Sequence, residues 1–276
     1  AKTVAENLAG SARDEKPVAL EPDDLFGGFS AAESVVPCGK VEKPVAKIQA
    51  KPAGSDVSDA RTPYAIFLDE LKDVLAVLET IIVNHLRDVN GYVEGTSELY
   101  SKDEALVKSW LEAFLVATQP EKVARSMCFA SASEKAKFYS RLCEALAKRG
   151  VTDVLRKGFA FNGTTFDLYF PLPSEQNPSA KEAYEKNCFG VIRQLHYSKI
   201  DANDAIDFVV FINGLPLATF ELKNHYTRQT VENAIRQYQT DRNPKDVLLK
   251  PKRCAVHFAV DDNDVYMCTE LKGADS

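Results

Sequence analysis

Beyond residue 61 the apolar positions of the chain fall into two regimes, recurring every three or four residues at first and then alternating or running without a break. Phe67, Leu71, Val74, Leu75, Leu78, Ile82 and Leu86 keep helical spacing. Thr62-Pro63 ahead of them supplies a cap and a first-turn proline, and Asn90-Gly91 a stop, so one long amphipathic helix is predicted. Two more helices are predicted over 103–117 and 133–148, the second closing on Arg149-Gly150. From Phe159 the string FAFNGTTFDLYFPL reads as a hairpin about Asn162-Gly163. A helix over 180–186 and a strand over 191–197 come next. The apolar run 206–212 then leads through Asn213-Gly214 into a strand over 217–222. A helix over 230–242 carries Val231, Ala234, Ile235 and Tyr238 on its apolar side, and strands over 254–260 and 265–268 flank Asp261-Asp262-Asn263. Helices followed by a sheet with one helix across it define an α/β fold: a mixed central β-sheet flanked by helices and preceded by a helical segment.

Composition then sets limits. Residues 1–61 are rich in Ala, Pro, Lys, Ser and Asp without sustained periodicity, and read as a flexible tail or linker with one apolar patch at Leu25–Phe29. The remainder reads as one domain, 62–276, with a helical portion over 62–157 and a sheet core over 158–276. A net charge of -6 argues against gripping nucleic acid over the whole surface, because phosphate is held by Lys and Arg displacing counterions, but leaves room for a local basic groove. The 6 cysteines are scattered without a C-x-x-C pair, which indicates neither a zinc site nor a disulfide framework and fits reduced thiols in a cytoplasmic protein. No apolar run is long enough to span a membrane, and the first residues lack the apolar segment of a signal peptide.

Candidate chemistry lies in IDFVVFI and TFELKN. Side chains alternate faces along a strand, so Glu221 and Lys223 share one face with Thr219 while Phe220 and Leu222 point to the core. Asp207 is the only charge in its apolar strand, and a charge placed there must be paired or bound. Whether it meets Glu221 depends on register. A strict two-residue turn at Asn213-Gly214 pairs Asp207 with Phe220 and turns it away; a three-residue loop including Leu215, or a bulge, pairs it with Glu221. The expectation is one of the latter two. Converging carboxylates suit a hard divalent cation such as Mg²⁺, and a neighbouring ammonium can orient a water or offset developing negative charge.

The string DFVVFINGLPLATFELKN, followed by TVENAIRQYQTDR and HFAVDDNDVYM, resembles the R subunit of type I restriction-modification enzymes, whose amino-terminal domain has the PD-(D/E)xK nuclease fold. The likeness spans about 70–272, including NGY at 90–92, FLVATQPE at 114–121, DVLRKG at 153–158 and RQLHYS at 193–198. It implies Asp207, Glu221 and Lys223 as the catalytic trio, with Mg²⁺ (Mn²⁺ substituting) held by Asp207, Glu221 and the Leu222 carbonyl. The family's early acidic residue falls on Glu79. The Q-x-x-x-Y motif of some relatives aligns with Gln237 and Asp241, so its tyrosine is missing, and Asn233, Gln237 and Asp241 form a polar stripe facing either the site or solvent. Arg228, Arg236, Arg242 and the KPKR run at 250–253 could supply positive charge for DNA. His85 and His257 sit in apolar patterns as packing residues, and His225 follows the lysine motif.

No G-x-x-x-x-G-K-[ST] loop occurs, so ATP is expected to serve only the full-length family enzyme. The function implied is a Mg²⁺-dependent endonuclease domain acting on double-stranded DNA, with modification and specificity subunits as partners. The alternative is a non-catalytic docking module with a nuclease-like fold that contacts those subunits.

Overall fold

A computed structural model describes residues 78–173, 177–223 and 229–273. The expected tail over 1–61, the first half of the long helix with Phe67, Leu71, Val74 and Leu75, and the residues Arg228 and His225 lie outside the described residues.

The sheet has six strands in the order β1-β4-β5-β6-β7-β8. These are β1 (Val93–Gly95), β4 (Phe189–His196), β5 (Ala205–Ile212), β6 (Leu215–Leu222), β7 (Val256–Val260) and β8 (Val265–Cys268). Pairing is antiparallel along β4-β5-β6 and β7-β8, and parallel for β1-β4 and β6-β7. The expected mixed α/β fold is thus the observed one. Helix α1 (78–88) lays Leu78, Ile82, Val83 and Leu86 against Val191, Phe208, Val210, Ala218 and Leu222 on one face. The other face is covered by Tyr100, Trp110, Tyr238, Leu248 and Leu249, packed on Ile192, Leu195, Ile206, Val209 and Phe211. Covering both faces explains why β5 reads as an unbroken apolar run rather than an alternating one.

Helices α2 (Lys108–Thr118), α3 (Pro120–Ser126), α4 (Ala132–Arg149) and α5 (Val151–Lys157) form a second core with the hairpin β2 (Phe159–Phe161) and β3 (Thr164–Phe166). Phe138 of α4 sits at its centre, edge-on to Phe129, Tyr139, Phe159, Phe161 and Phe166. Helix α4 begins where Ser131 accepts from the Glu134 amide at 3.2 Å and ends at Gly150, whose φ is +85°. The β2–β3 turn falls on Asn162-Gly163 as expected, yet the hairpin is its own two-stranded sheet packed with helices, not part of the central sheet.

Other elements depart from the sequence reading. Residues 103–107 are not helical: Ser101 bridges Leu106, and Ala105, Leu106 and Val107 are all fully buried, so no polar face remains for a helix to expose. Helices α3 and α5 and strand β1 went unforeseen because seven or three residues give too little periodicity to read. The helix expected over 180–186 is α6 (Pro178–Glu185), which starts two residues earlier because Asn177 caps it, its side chain accepting from the Ala180 amide at 3.2 Å. The helix expected over 230–242 is α-helical only in α7 (Val231–Arg236) and continues as a π turn, Gln237–Asp241, in which the Arg242 amide donates to the Gln237 carbonyl at 3.0 Å. Trp110 requires a bare backbone at Gly190: a Cβ there would stand 2.1 Å from its ring.

Candidate active site

Register decides whether the two carboxylates meet. The β5–β6 turn is the tight two-residue form, with Asn213 at φ +49° and Gly214 at φ +79° and Ile212 paired to Leu215. That turn alone would set Asp207 against Phe220. A shift between Val210 and Phe211 intervenes: Phe211 pairs with Pro216 but Val210 pairs with Ala218, leaving Leu217 as the extra residue. Phe208 consequently pairs with Phe220, the register that leads Asp207 toward Glu221 rather than toward Phe220. The bulge is one of the two expected devices, and the charge of Asp207 acts on Glu221. Asn213 anchors the turn, accepting from the Cys188 amide at 2.6 Å and donating to the Leu168 carbonyl and Asn187 Oδ1 at 2.9 and 3.0 Å.

Each carboxylate has one oxygen held by a short hydrogen bond. Asp207 Oδ2 accepts from the Leu222 amide at 2.6 Å. Glu221 Oε1 accepts from Arg242 Nε at 2.8 Å and Nη2 at 2.6 Å, while Glu221 Oε2 is buried with no hydrogen-bond partner. Burial first, and then the charge of Asp207, push the Glu221 carboxyl up to about 8, against the pull of Arg242 and Lys223. The Lys223 amide donates to the Val260 carbonyl at 2.8 Å, pinning the end of β6, and among the described residues its ammonium has no ion-pair partner.

Both faces of β6 are buried around this point, so the side bearing Glu221 is no more open than the core side. Thr219 and Glu221 are fully buried, whereas Phe220 is only partly so, stacked between Phe208 and Phe258 at 4.3 and 4.8 Å. On the Glu221 side, Thr219 Oγ1 lies 2.8 Å from Tyr238 Oη and 2.7 Å from His257 Nδ1, tying the π turn and β7 to β6. Burial holds His257 down to about 4, so it is neutral at pH 7 and packs as its apolar setting implied. His85 instead lies exposed on α1.

The remaining expected residues divide. Glu79 is buried rather than solvated, and both its oxygens are engaged, Oε1 by Arg193 Nε at 2.7 Å and Oε2 by Gln194 Nε2 at 2.8 Å. Arg242 is buried and committed to Glu221 and, through Nη2 at 2.6 Å, to the Ala205 carbonyl. A guanidinium so occupied is not free to meet a DNA backbone; its work here is to neutralise Glu221. Arg236 is exposed, as are Lys250 and Lys252, whereas Arg253 of the same run is buried. Gln237 opens the π turn, and its Oε1 is buried without a hydrogen-bond partner. Sequence reasoning missed Arg193 and Gln194, although two adjacent polar residues inside the strand VIRQLH were a visible interruption.

No described group of three or more His, Cys, Asp or Glu side chains is arranged to hold a metal. The donors present are Glu221 Oε2, Asp207 Oδ1, which Gln194 Nε2 reaches only at 3.5 Å, and main-chain carbonyls. That set fits Mg²⁺, which keeps several waters and is bound through one or two carboxylates. A buried carboxylate oxygen without a partner, in a site where carboxylates repel, is what a cation would relieve.

The fold and site together define an α/β protein whose central hairpin carries two opposed carboxylates and a lysine. The family model described as the type I restriction enzyme R protein N terminus matches residues 94–276, and the chain belongs to that family. Helix α1 with Glu79 precedes the matched span. No curated protein matches the chain. Among the described residues no helix is long and apolar enough to cross a membrane.

Proposed function

We propose that this chain is the cutting domain of a type I restriction enzyme, a Mg²⁺-dependent endonuclease of PD-(D/E)xK type that hydrolyses phosphodiester bonds of double-stranded DNA. The observation that carries the reading is the bulged hairpin, whose register leads Asp207 toward Glu221, with Asp207 Oδ2 tethered, the charge of Asp207 felt by Glu221, and Glu221 Oε2 buried and unclaimed. Asp207, Glu221 and the Leu222 carbonyl would hold the cation, which when bound would polarise the scissile phosphate and lower the pKa of a coordinated water. Lys223, two residues beyond Glu221 with its ammonium unpaired among the described residues, would orient the attacking water and offset the charge that builds on the phosphate. Arg242 keeps Glu221 in place from behind. Arg236, Lys250 and Lys252 are exposed and suited to the DNA backbone, and Gln237 and Arg228 complete the expected DNA-facing set. Recognition of sequence and movement along DNA fall to the specificity and modification subunits and to the ATP-driven part of the enzyme. The chemistry and the thiols fit a cytoplasmic setting.

Plasmid cleavage by the full 276-residue chain with Mn²⁺ or Mg²⁺ tests this. Asp207→Ala and Lys223→Ala are each expected to lower the cleavage rate by about 100-fold or more, given the usual cost of deleting one electrostatic contact to a transition state. Cutting that persists unchanged in both variants would sink the reading. The docking alternative draws on one feature, the edge strand β8, which exposes Val265, Tyr266 and Met267 at 64%, 52% and 70%. Calorimetry separates the two, since a docking module would bind no Mg²⁺ in a Glu221-dependent way.

A further inference from the structure

Strands β4 and β5 lose their regular alternation at one matched place. Ile192 and Leu195 both enter the core that holds Tyr238, Leu248 and Leu249 although three residues apart, and so do Ile206 and Val209. The slip falls on Arg193-Gln194 in β4 and on Asp207-Phe208 in β5. Arg193 pairs with Phe208 and Leu195 with Ile206, while the pair between them, Gln194 and Asp207, drops out of the ladder. Gln194 has φ +44°, a left-handed backbone that a glutamine inside a strand adopts at a cost. The cost is set against a placement. The Gln194 carboxamide Nε2 donates to Glu79 Oε2 at 2.8 Å and lies 3.5 Å from Asp207 Oδ1, the oxygen not held by the Leu222 amide. Gln194 is itself exposed, at the mouth of the site.

From this geometry we infer that Gln194 is a positioning residue for the proposed cation site. It aims Asp207 Oδ1 and couples it to Glu79 of α1, which is buried and paired with Arg193 of β4. The inference rests on the nuclease reading above. A strand with an ordinary backbone at 194 would return the side chain to the alternating pattern and leave Asp207 Oδ1 without the carboxamide that links it to Glu79 of α1. Strained non-glycine residues persist where the surrounding structure over-determines them, and here the over-determining contacts are the ion pair Glu79–Arg193 at 2.7 Å and the Arg193 Nη2 bond to Thr80 Oγ1 at 2.9 Å.

Two substitutions separate positioning from mere structure. Gln194→Gly relieves the backbone and deletes the carboxamide; Gln194→Met keeps both length and strain and deletes only the carboxamide. Mn²⁺ binding to the full chain by calorimetry, DNA cleavage, and thermal midpoint are read for each. Both variants are expected to bind Mn²⁺ and to cleave 10- to 100-fold more weakly, the usual cost of losing a group that orients a metal ligand. Gln194→Gly alone is expected to melt at the same or a higher temperature than the native chain, a gain that no loss of packing would give. Native Mn²⁺ affinity and cleavage in both variants would overturn the inference while leaving the nuclease reading intact. No Mn²⁺ binding by the unsubstituted chain would overturn both.

Discussion

Gly214→Ala is expected to lower the unfolding free energy by about 4 kcal/mol, the sum of a left-handed alanine and an overpacked contact. The residue sits at φ +79° in the turn that joins β5 to β6, and a Cβ there would stand 2.2 Å from the Val107 carbonyl oxygen. The Val107 amide in turn donates to the Gly214 carbonyl at 2.9 Å, so the start of α2 and the turn are bound to each other and neither backbone can move aside alone. Gly163 offers the comparison. It has φ +70° in the β2–β3 turn with nothing within 4 Å of a built Cβ, so Gly163→Ala should cost only about 1 kcal/mol of backbone strain. Urea unfolding of the two variants measures the difference. Equal costs would mean that α2 does not brace the hairpin that presents Asp207 and Glu221.

Glu221→Gln is expected to stabilise the cation-free protein, by an amount that grows with pH. In the folded chain the Glu221 carboxyl is pushed up to about 8 by burial and by Asp207, from an ordinary value near 4.5. A raised value means that the folded state holds the proton more tightly than the unfolded one. The stabilising contribution is therefore complete below about pH 4.5 and is lost as pH rises through about 8. Glutamine carries no such penalty. Its advantage should be small at pH 5 and on the order of 3 kcal/mol at pH 9, since each pKa unit is worth about 1.4 kcal/mol and part of the gain is returned when Arg242 loses its ionic partner. Mg²⁺ should raise the melting temperature of the unsubstituted chain and leave that of Glu221→Gln unmoved. A stability difference independent of pH would show that the Glu221 charge is not confined as described.

The candidate site was legible in the sequence where chemistry and alternation coincide. A lone Asp in IDFVVFI and the Glu and Lys of TFELKN are charges in strands that otherwise bury, and such charges need a reason. Register was legible only as a choice, because the two-residue turn is written in Asn213-Gly214 but nothing local marks Leu217 as the residue that bulges. Arg242 could not be placed from its codon neighbours: a helix read straight through 242 exposes it, whereas the π turn Gln237–Asp241 delivers it inward to Glu221. Glu79 was visible as an acidic residue beside an apolar stripe, and its burial depended on Arg193, a partner 114 positions away. Long periodic elements such as α4 were read nearly to their ends, while β1, three residues long, exists only because β4 lies parallel to it.

A crystal of the full chain soaked in Mn²⁺ would test the central claim most directly. The account predicts an anomalous peak between Asp207 and Glu221, in contact with the oxygens that the Leu222 amide and Arg242 leave free, and absent in Glu221→Gln. Carboxylates that stay as they are around an empty site at saturating Mn²⁺, with Arg242 still holding Glu221, would contradict it.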